Sequence, residues 1–337
     1  MSGRATMQHV AALAGVSLKT VSRVVNDEPG VSQELVTRVR DAAARLGYRH
    51  NLAASNLRRG RRTASIGVLV QDLSNDFCGE LLRAVEERAR TRGVVVMSAS
   101  LDEEPERERE LVDGLVERRI DGLILMPATT DQSYLMPEVQ AGLAVVVVDR
   151  VPRGMALDSV TADNEGGAAA AVRHLAERGH RRIAFIGDEL GIITATERAA
   201  GYRRALREIG LPVDPSLERA GARTPEDAIH AVRELLAAPE PPTAIFTARN
   251  VLTVGTVRAL RAQGLERSVA LVGFDDFPTA DLLDPGITAV KQAVATEATL
   301  AIDILLSRLD GVNGEIRSER VPTTLVPRGS GEIPAPS

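Results

Sequence analysis

The chain has 337 residues, 44% of them hydrophobic and 26% charged, and a net charge of -5, which places it among globular proteins large enough for two or three domains and sets disorder aside. Its single cysteine, Cys78, excludes an internal disulfide framework and a thiolate zinc cluster, and its five histidines show no HExxH spacing. No apolar run reaches the roughly 18 residues of a membrane span, and the opening MSGRATMQHV lacks the charged-then-apolar build of a secretory leader, so a cytoplasmic protein is expected.

The net charge hides an asymmetry. Residues 1 to 63 hold 11 Lys plus Arg against 4 Asp plus Glu, a net +7, and the remainder is net -12. A basic head on an acidic body fits a chain that meets a polyanion at one end, or a head with a solvated basic face. Lysine occurs only at Lys19 and Lys291, so arginine supplies nearly all the positive charge.

Thr6 to Gly15 reads as a short helix, with a hydroxyl cap, Val10, Ala11 and Ala14 at helical spacing, and a glycine to end it. After a tight turn Ser17 can cap a second helix, Leu18 to Asn26. Val21, Val24 and Val25 form its apolar stripe, and Leu18, Lys19, Ser22 and Arg23 fall elsewhere. A third helix opens at Ser32, carries Leu35, Val39, Ala42 and Leu46, and stops at Gly47. Residues 51 to 62, NLAASNLRRGRR, have too few apolar residues for a core and read as a hinge.

From Ile66 the pattern becomes apolar runs alternating with amphipathic helices: IGVLVQD, helix 77 to 92, VVVMSAS, helix 105 to 119, DGLILMP and AVVVVD. A second series follows Asp163: helix 165 to 178, IAFIGD, helix 196 to 208, TAIFTA, helix 251 to 264 and VALVGFDD. Runs apolar on both faces and separated by helices belong to parallel sheets covered on both sides, here two lobes in series. Ligands of such sheets bind outside the carboxyl ends of the strands, where Asp72, Asp149, Arg249 and Asp275 fall. Enzyme motifs are missing: neither lysine follows a Gly-rich loop, and neither GxGxxG after the first strand nor GxSxG is present.

Residues 7 to 26, MQHVAALAGVSLKTVSRVVN, closely resemble the N-terminus of the lactose-repressor (LacI/GalR) family. The likeness continues through Val31-Ser32, Leu46-Gly47-Tyr48 and the hinge to DGLILMP, HLAERGHRRIAFIGD, ERAAGYRRAL, LVGFDDF and VPTTLVPRGS, all in family order. It implies an all-α helix-turn-helix head and a two-lobed α/β domain like the periplasmic sugar-binding proteins. The implied domains are a head at 1-50, a hinge at 51-63, and an effector and dimerisation domain at 64-330 followed by a tail at 331-337. Within that domain the expected lobes are 64-160 with 292-318 and 161-291 with 319-330.

The implied function is a sequence-specific repressor of carbohydrate-metabolism genes, a homodimer on a palindromic double-stranded DNA operator, without a metal, cofactor or catalytic residue; the alternatives are a corepressor-dependent regulator of the same family with a non-sugar ligand, and a sugar-binding protein or α/β enzyme without a regulatory role. By resemblance, Leu18, Lys19 and Arg23 read the major groove, and Thr6, Ser17, Thr20, Ser22, Asn26 and Ser32 contact or orient on phosphates. Thr20 and Ser22 could instead cap or solvate the helix. An arginine pairs bidentately with guanine, whereas hydroxyl contacts to phosphate position without specifying. In the hinge, Asn51, Ala54, Leu57 and Arg58 are implied DNA contacts, with Leu57 wedging into the minor groove or else packing on the body. Arg58, Arg59, Arg61 and Arg62 are expected to meet phosphates. His50 replaces a proline of some relatives, which implies a looser start to the hinge.

The resemblance puts a small-molecule effector, a sugar or sugar derivative, between the lobes. Arg198 and Asp275 are its best contacts or else a structural ion pair, and Asp149 joins them. Phe77 offers a stacking face or belongs to the core. Arg249-Asn250 replaces an Asn-Asp pair, Cys78 replaces the second ring of a Phe-Phe pair, and tryptophan is absent. Arg249 with Arg198 favours an anionic effector unless Arg249 pairs with Asp275. No leucine heptads follow Ser330, so a dimer rather than a tetramer is expected. LVPRGS at 325 to 330 matches a protease site used in expression tags, but the family ends its last strand similarly, which favours a native segment.

Overall fold

The structure, a computed structural model, describes residues 5–26, 28–48 and 63–336. The chain divides into two units, Met1–Thr63 and Ala64–Ser337.

The first unit packs three helices, α1 (Met7–Ala14), α2 (Leu18–Val25) and α3 (Gln33–Arg45), on Val10, Ala11, Ala14, Val21, Val24, Val39 and Ala42. Each start is capped by a hydroxyl: Thr6 accepts from His9 N, Ser17 from Thr20 N and Ser32 from Leu35 N. Gly15 ends α1 at φ 63, a left-handed turn that a side chain would strain. Arg38 of α3 donates to the carbonyl of Ala14 at 2.6 Å, which satisfies a free carbonyl at the end of α1. The core side chains are small, so these terminal bonds weigh heavily in holding the unit together.

The second unit contains two six-stranded sheets. The first lobe is built from β1 (Ser65–Val70), α4 (Asp76–Thr91), β2 (Val95–Ser100), α5 (Pro105–Glu117), β3 (Gly122–Leu125), α6 (Met136–Gln140), β4 (Ala144–Val148) and β5 (Asp158–Ala162). The second takes α7 (Asn164–Glu177), β6 (Ile183–Ile186), α8 (Ile193–Glu208), β7 (Glu218–Arg219), α9 (Pro225–Leu236), β8 (Ala244–Thr247), α10 (Asn250–Ala262), β9 (Ala270–Phe274) and β10 (Thr288–Lys291). The chain then returns through α11 (Val294–Leu309) and β11 (Ser318–Val321) to the first lobe, and ends with β12 (Thr324–Val326) on the second.

The strand orders are β11-β5-β4-β3-β1-β2 and β12-β10-β9-β8-β6-β7, so the two lobes repeat one topology. All pairings are parallel except β10 with β12. Central strands such as β4 (Val145–Val148) and β9 are buried throughout, as a sheet covered on both faces requires. In the second lobe Gly201 lets α8 approach α7 and Gly255 lets α10 approach α9; a Cβ there would stand 2.3 Å from Glu165 O and 2.2 Å from Pro225 O. Tyr202, fully buried, stacks on Phe185 at 5.1 Å and donates its hydroxyl to Ile183 O at 2.8 Å.

Three boundaries move. Ser318–Val321 pairs with Ser159–Ala162 in the first sheet, so 161–162 and 319–321 belong to the first lobe and not, as expected, to the second. Residues 331–336 are not a loose tail either: His180 meets the carbonyl of Ile333 at 2.9 Å and His174 meets Glu332 at 2.6 Å. LVPRGS is integral to the second lobe, with Leu325 and Val326 on β10 and the buried Ser330 donating to Leu271 O at 2.6 Å.

Candidate functional site

The strand ends of both sheets meet at a cleft between the lobes. Arg198, on α8, is 4% exposed and lies over the Phe274 ring at 3.8 Å. Its Nε donates to Asn164 Oδ1 at 2.9 Å, and its Nη1 to Ala248 O at 2.7 Å and Asp275 Oδ2 at 2.9 Å. The other oxygen of Asp275 accepts from Gln292 Nε2 at 2.6 Å. Asp275 and Asp149 hold φ values of 67 and 68, a strained setting for residues other than glycine. Burial pushes the Asp149 carboxyl above the usual carboxylate range, helped by Asp275 and Glu103 and opposed by Arg150 and Arg198.

Two further arginines are neutralised in place. Arg150 forks onto Glu103 and also donates to Pro127 O at 2.6 Å. Arg249 pairs with the buried Asp188. The small chamber at the heart of the cleft, about 60 Å³, is lined by five carboxylates (Asp72, Glu103, Asp149, Asp188, Asp275) and only three arginines, so it is acidic overall. A larger cavity of about 360 Å³ adjoins it, sharing Phe77, Asp275 and Gln292 and adding Phe277 and Val294. The lobes touch where Asn75, the cap of α4, donates to Asn250 at the start of α10 across 3.2 Å.

On the head, α2 turns Val21 and Val24 into the core and leaves Leu18 46% exposed, with Lys19 exposed beside it. Ser17 and Thr20 hydroxyls meet at 2.9 Å. Asn26 donates to the carbonyl of Ser22. Arg23 folds onto its own loop, donating to Pro29 O and lying 3.8 Å from Glu28.

Comparison with known proteins resolves what carries these two sites. Residues 6–51 match the bacterial regulatory proteins of the lacI family, and 172–331 the periplasmic binding protein-like domain. The chain is 31% identical over 329 residues to the ribose operon repressor of Escherichia coli, across 97% of this chain and 99% of that protein.

The chain belongs to the LacI family.

Catabolite control protein A of Priestia megaterium is 32% identical over 303 residues, covering 89% of this chain and 91% of that protein. The crystal structure of the lac repressor dimer bound to operator and the anti-inducer ONPF superposes with a TM-score of 0.85 at 27% identity, covering 98% of this chain and 99% of that one. As a LacI-family member the protein is a DNA-binding transcriptional repressor under small-molecule control, with a helix-turn-helix head and a two-lobed α/β domain.

The LacI-family site residues expected from sequence are distributed as follows. Phe77, Asp149, Arg198, Arg249 and Asp275 all line the cleft. Arg249 does not pair with Asp275: Asp188 takes it, and Arg198 takes Asp275. Both guanidiniums are thus paired with carboxylates of the chain itself. Thr6, Ser17 and Ser32 are helix caps, while Thr20, Ser22 and Asn26 make bonds within α2 and at its end. Asn51, Ala54, Leu57 and Arg58, with the hinge as a whole, lie outside the described residues. The sequence reading missed Asn164, Asp188, Gln292, Glu103 and Arg150. Asp188 was within reach, since it follows β6 by the interval at which Asp72 follows β1.

Proposed function

We propose that this repressor acts in the cytoplasm as a homodimer on a palindromic operator, laying α2 of each head in the major groove. The observation that carries this reading is the outward set of Leu18 and Lys19 on the capped first turn of α2, opposite the buried Val21 and Val24. Leu18, Lys19 and an Arg23 released from Pro29 read base edges. Thr6, Ser17, Thr20, Ser22, Asn26 and Ser32 hold phosphates; in the hinge Leu57 enters the minor groove, Asn51 and Ala54 are further DNA contacts, and Arg58 meets a phosphate.

A sugar or sugar derivative sits between the lobes on Asp149, Arg198 and Asp275, with Phe77 against a ring face and Arg249 at the edge. Its differential affinity for two lobe arrangements sets operator affinity. The ribose operon repressor relative and the ligand-bound lac repressor structure support this assignment, and with it a regulatory rather than enzymatic role on carbohydrate genes.

The test is binding of the purified protein to its own upstream DNA at two salt concentrations, with and without sugars. A salt-sensitive, palindrome-specific complex altered by one sugar supports the reading. Salt-insensitive or sequence-indifferent binding, unaltered by every sugar, overturns it.

A further inference from the structure

Asn75 and Asn250 stand 175 residues apart in the chain, one in each lobe, and exchange side-chain hydrogen bonds: Asn75 Nδ2 donates to Asn250 Oδ1 at 3.2 Å and Asn250 Nδ2 to Asn75 Oδ1 at 3.5 Å. Each oxygen also serves its own helix. Asn75 Oδ1 accepts from Phe77 N at 3.0 Å at the start of α4, and Asn250 Oδ1 from Val251 N at 2.8 Å at the start of α10. Only the two amide groups therefore depend on the contact between lobes.

Both asparagines line the small chamber, as do Cys78, Asp149 and Arg198. At about 60 Å³ that space is far below the roughly 300 Å³ at which small-molecule pockets begin, and the 360 Å³ cavity outside it is lined by neither Asp149 nor Arg198. A ligand that reaches those two residues has to part the lobes there. Nothing charged strengthens the contact: the chamber's arginines are paired inside their own lobes, Arg150 with Glu103 in the first, Arg198 with Asp275 and Arg249 with Asp188 in the second. Neutral bonds that exchange for water on opening are weak net contributors, and here opening leaves both helix starts with their side-chain acceptors.

Resting on the assignment of the cleft as the effector site, we propose that the Asn75–Asn250 amide pair is a latch across the chamber, which holds the effector-free lobes together and parts before a ligand reaches Asp149 and Arg198. Its strength sets how often the free repressor opens, so it tunes effector entry without altering the effector's own contacts.

Cys78, the single cysteine of the chain, reports that opening without any sugar. It is 3% exposed, and burial lifts its thiol to about 11, so it reacts through opened molecules. Iodoacetamide alkylation of the full chain at neutral pH, followed by intact mass, is compared for the parent, Asn75→Ser, Asn250→Ala, these two combined, and Asn75→Asp combined with Asn250→Asp. Asn75→Ser keeps a cap on α4 but loses the reach to Asn250, and the paired Asn→Asp changes keep size and acceptors but remove both donors. The expected result is alkylation about three- to tenfold faster than the parent in each, with no further gain when Asn75→Ser and Asn250→Ala are combined. Rates should stay flat in dilute urea, because a local opening exposes little surface.

Unchanged rates, effects that multiply in the combined Asn75→Ser and Asn250→Ala protein, acceleration missing from the size-preserving pair, or rates that climb steeply with urea as global unfolding does would each overturn the latch. No sugar enters the measurement, so its failure leaves the effector site standing, and a failure of every sugar to bind leaves the alkylation result intact.

Discussion

Asp149 and Asp275 occupy the same place in the two lobes. Each follows its strand, β4 or β9, in the left-handed region, and each donates its backbone N–H to the next strand, to Val160 O at 3.0 Å and to Val290 O at 2.9 Å. Such a conformation costs an aspartate on the order of 1 kcal/mol, and it aims both carboxylates at the cleft. Asp149→Gly relieves the strain and removes the contact. Its unfolding free energy should stay within about 1 kcal/mol of the parent, while effector affinity falls at least tenfold in a calorimetric titration. A stability loss above about 3 kcal/mol would make Asp149 a structural partner of Arg150 instead.

Arg198, proposed above as an effector contact, is also a strut. Removing it leaves Asp275 buried beside a single amide donor, so Arg198→Ala should lose about 3–5 kcal/mol in urea unfolding and the operator complex should cease to respond to effector. Adding Asp275→Asn should restore part of the lost stability. Two losses that simply add would mean the pair is not coupled.

The pH dependence of stability follows from Glu297. Folded, it keeps its proton up to about pH 8, whereas the unfolded chain loses it near 4.5. Its contribution is complete below pH 4.5 and is lost as pH rises towards 8, by roughly 1 kcal/mol per unit. Glu297→Gln should flatten that slope in denaturation curves between pH 5 and 8. An unchanged slope assigns the effect elsewhere.

The last residues should matter to folding. Deleting 331–337 removes the Glu332 partner of His174 and one of the two partners of His180, which keeps Thr243, and the unfolding free energy should drop by about 2–5 kcal/mol, two to three buried bonds' worth. Thermal melting at one pH checks this. A melt equal to the parent's would return the segment to a dispensable tail.

Lys19→Ala should weaken the operator complex by about 1–3 kcal/mol and narrow the gap to non-specific DNA, as loss of a base contact does. Equal weakening on all sequences, with a salt slope lower by about one per site, would place Lys19 on a phosphate.

Much of this protein was legible in order along the chain. Helix starts at Thr6, Ser17 and Ser32 follow from short-range capping, and the buried strands from unbroken apolar runs, both local signals. Helix α11, the 161–162 and 319–321 boundaries and the seat of Ser330 were not, because each depends on which sheet a segment joins after crossing between lobes. Leu57 and its neighbours remain a reading from resemblance.

The sequence by itself determined two lobes of parallel sheet, a basic three-helix head, and the strand-end cleft residues Asp149, Arg249 and Asp275, because periodicity, caps and motif order are properties of neighbours along the chain; Phe77 and Arg198, both on helices, rested on the family resemblance. Only the tertiary structure decided the partners: Arg249 on Asp188, Arg198 on Asp275, Arg150 on Glu103, and Glu297 left without one. Charge pairing at a cleft is a matter of distance between segments as much as 77 residues apart, and no local pattern encodes it.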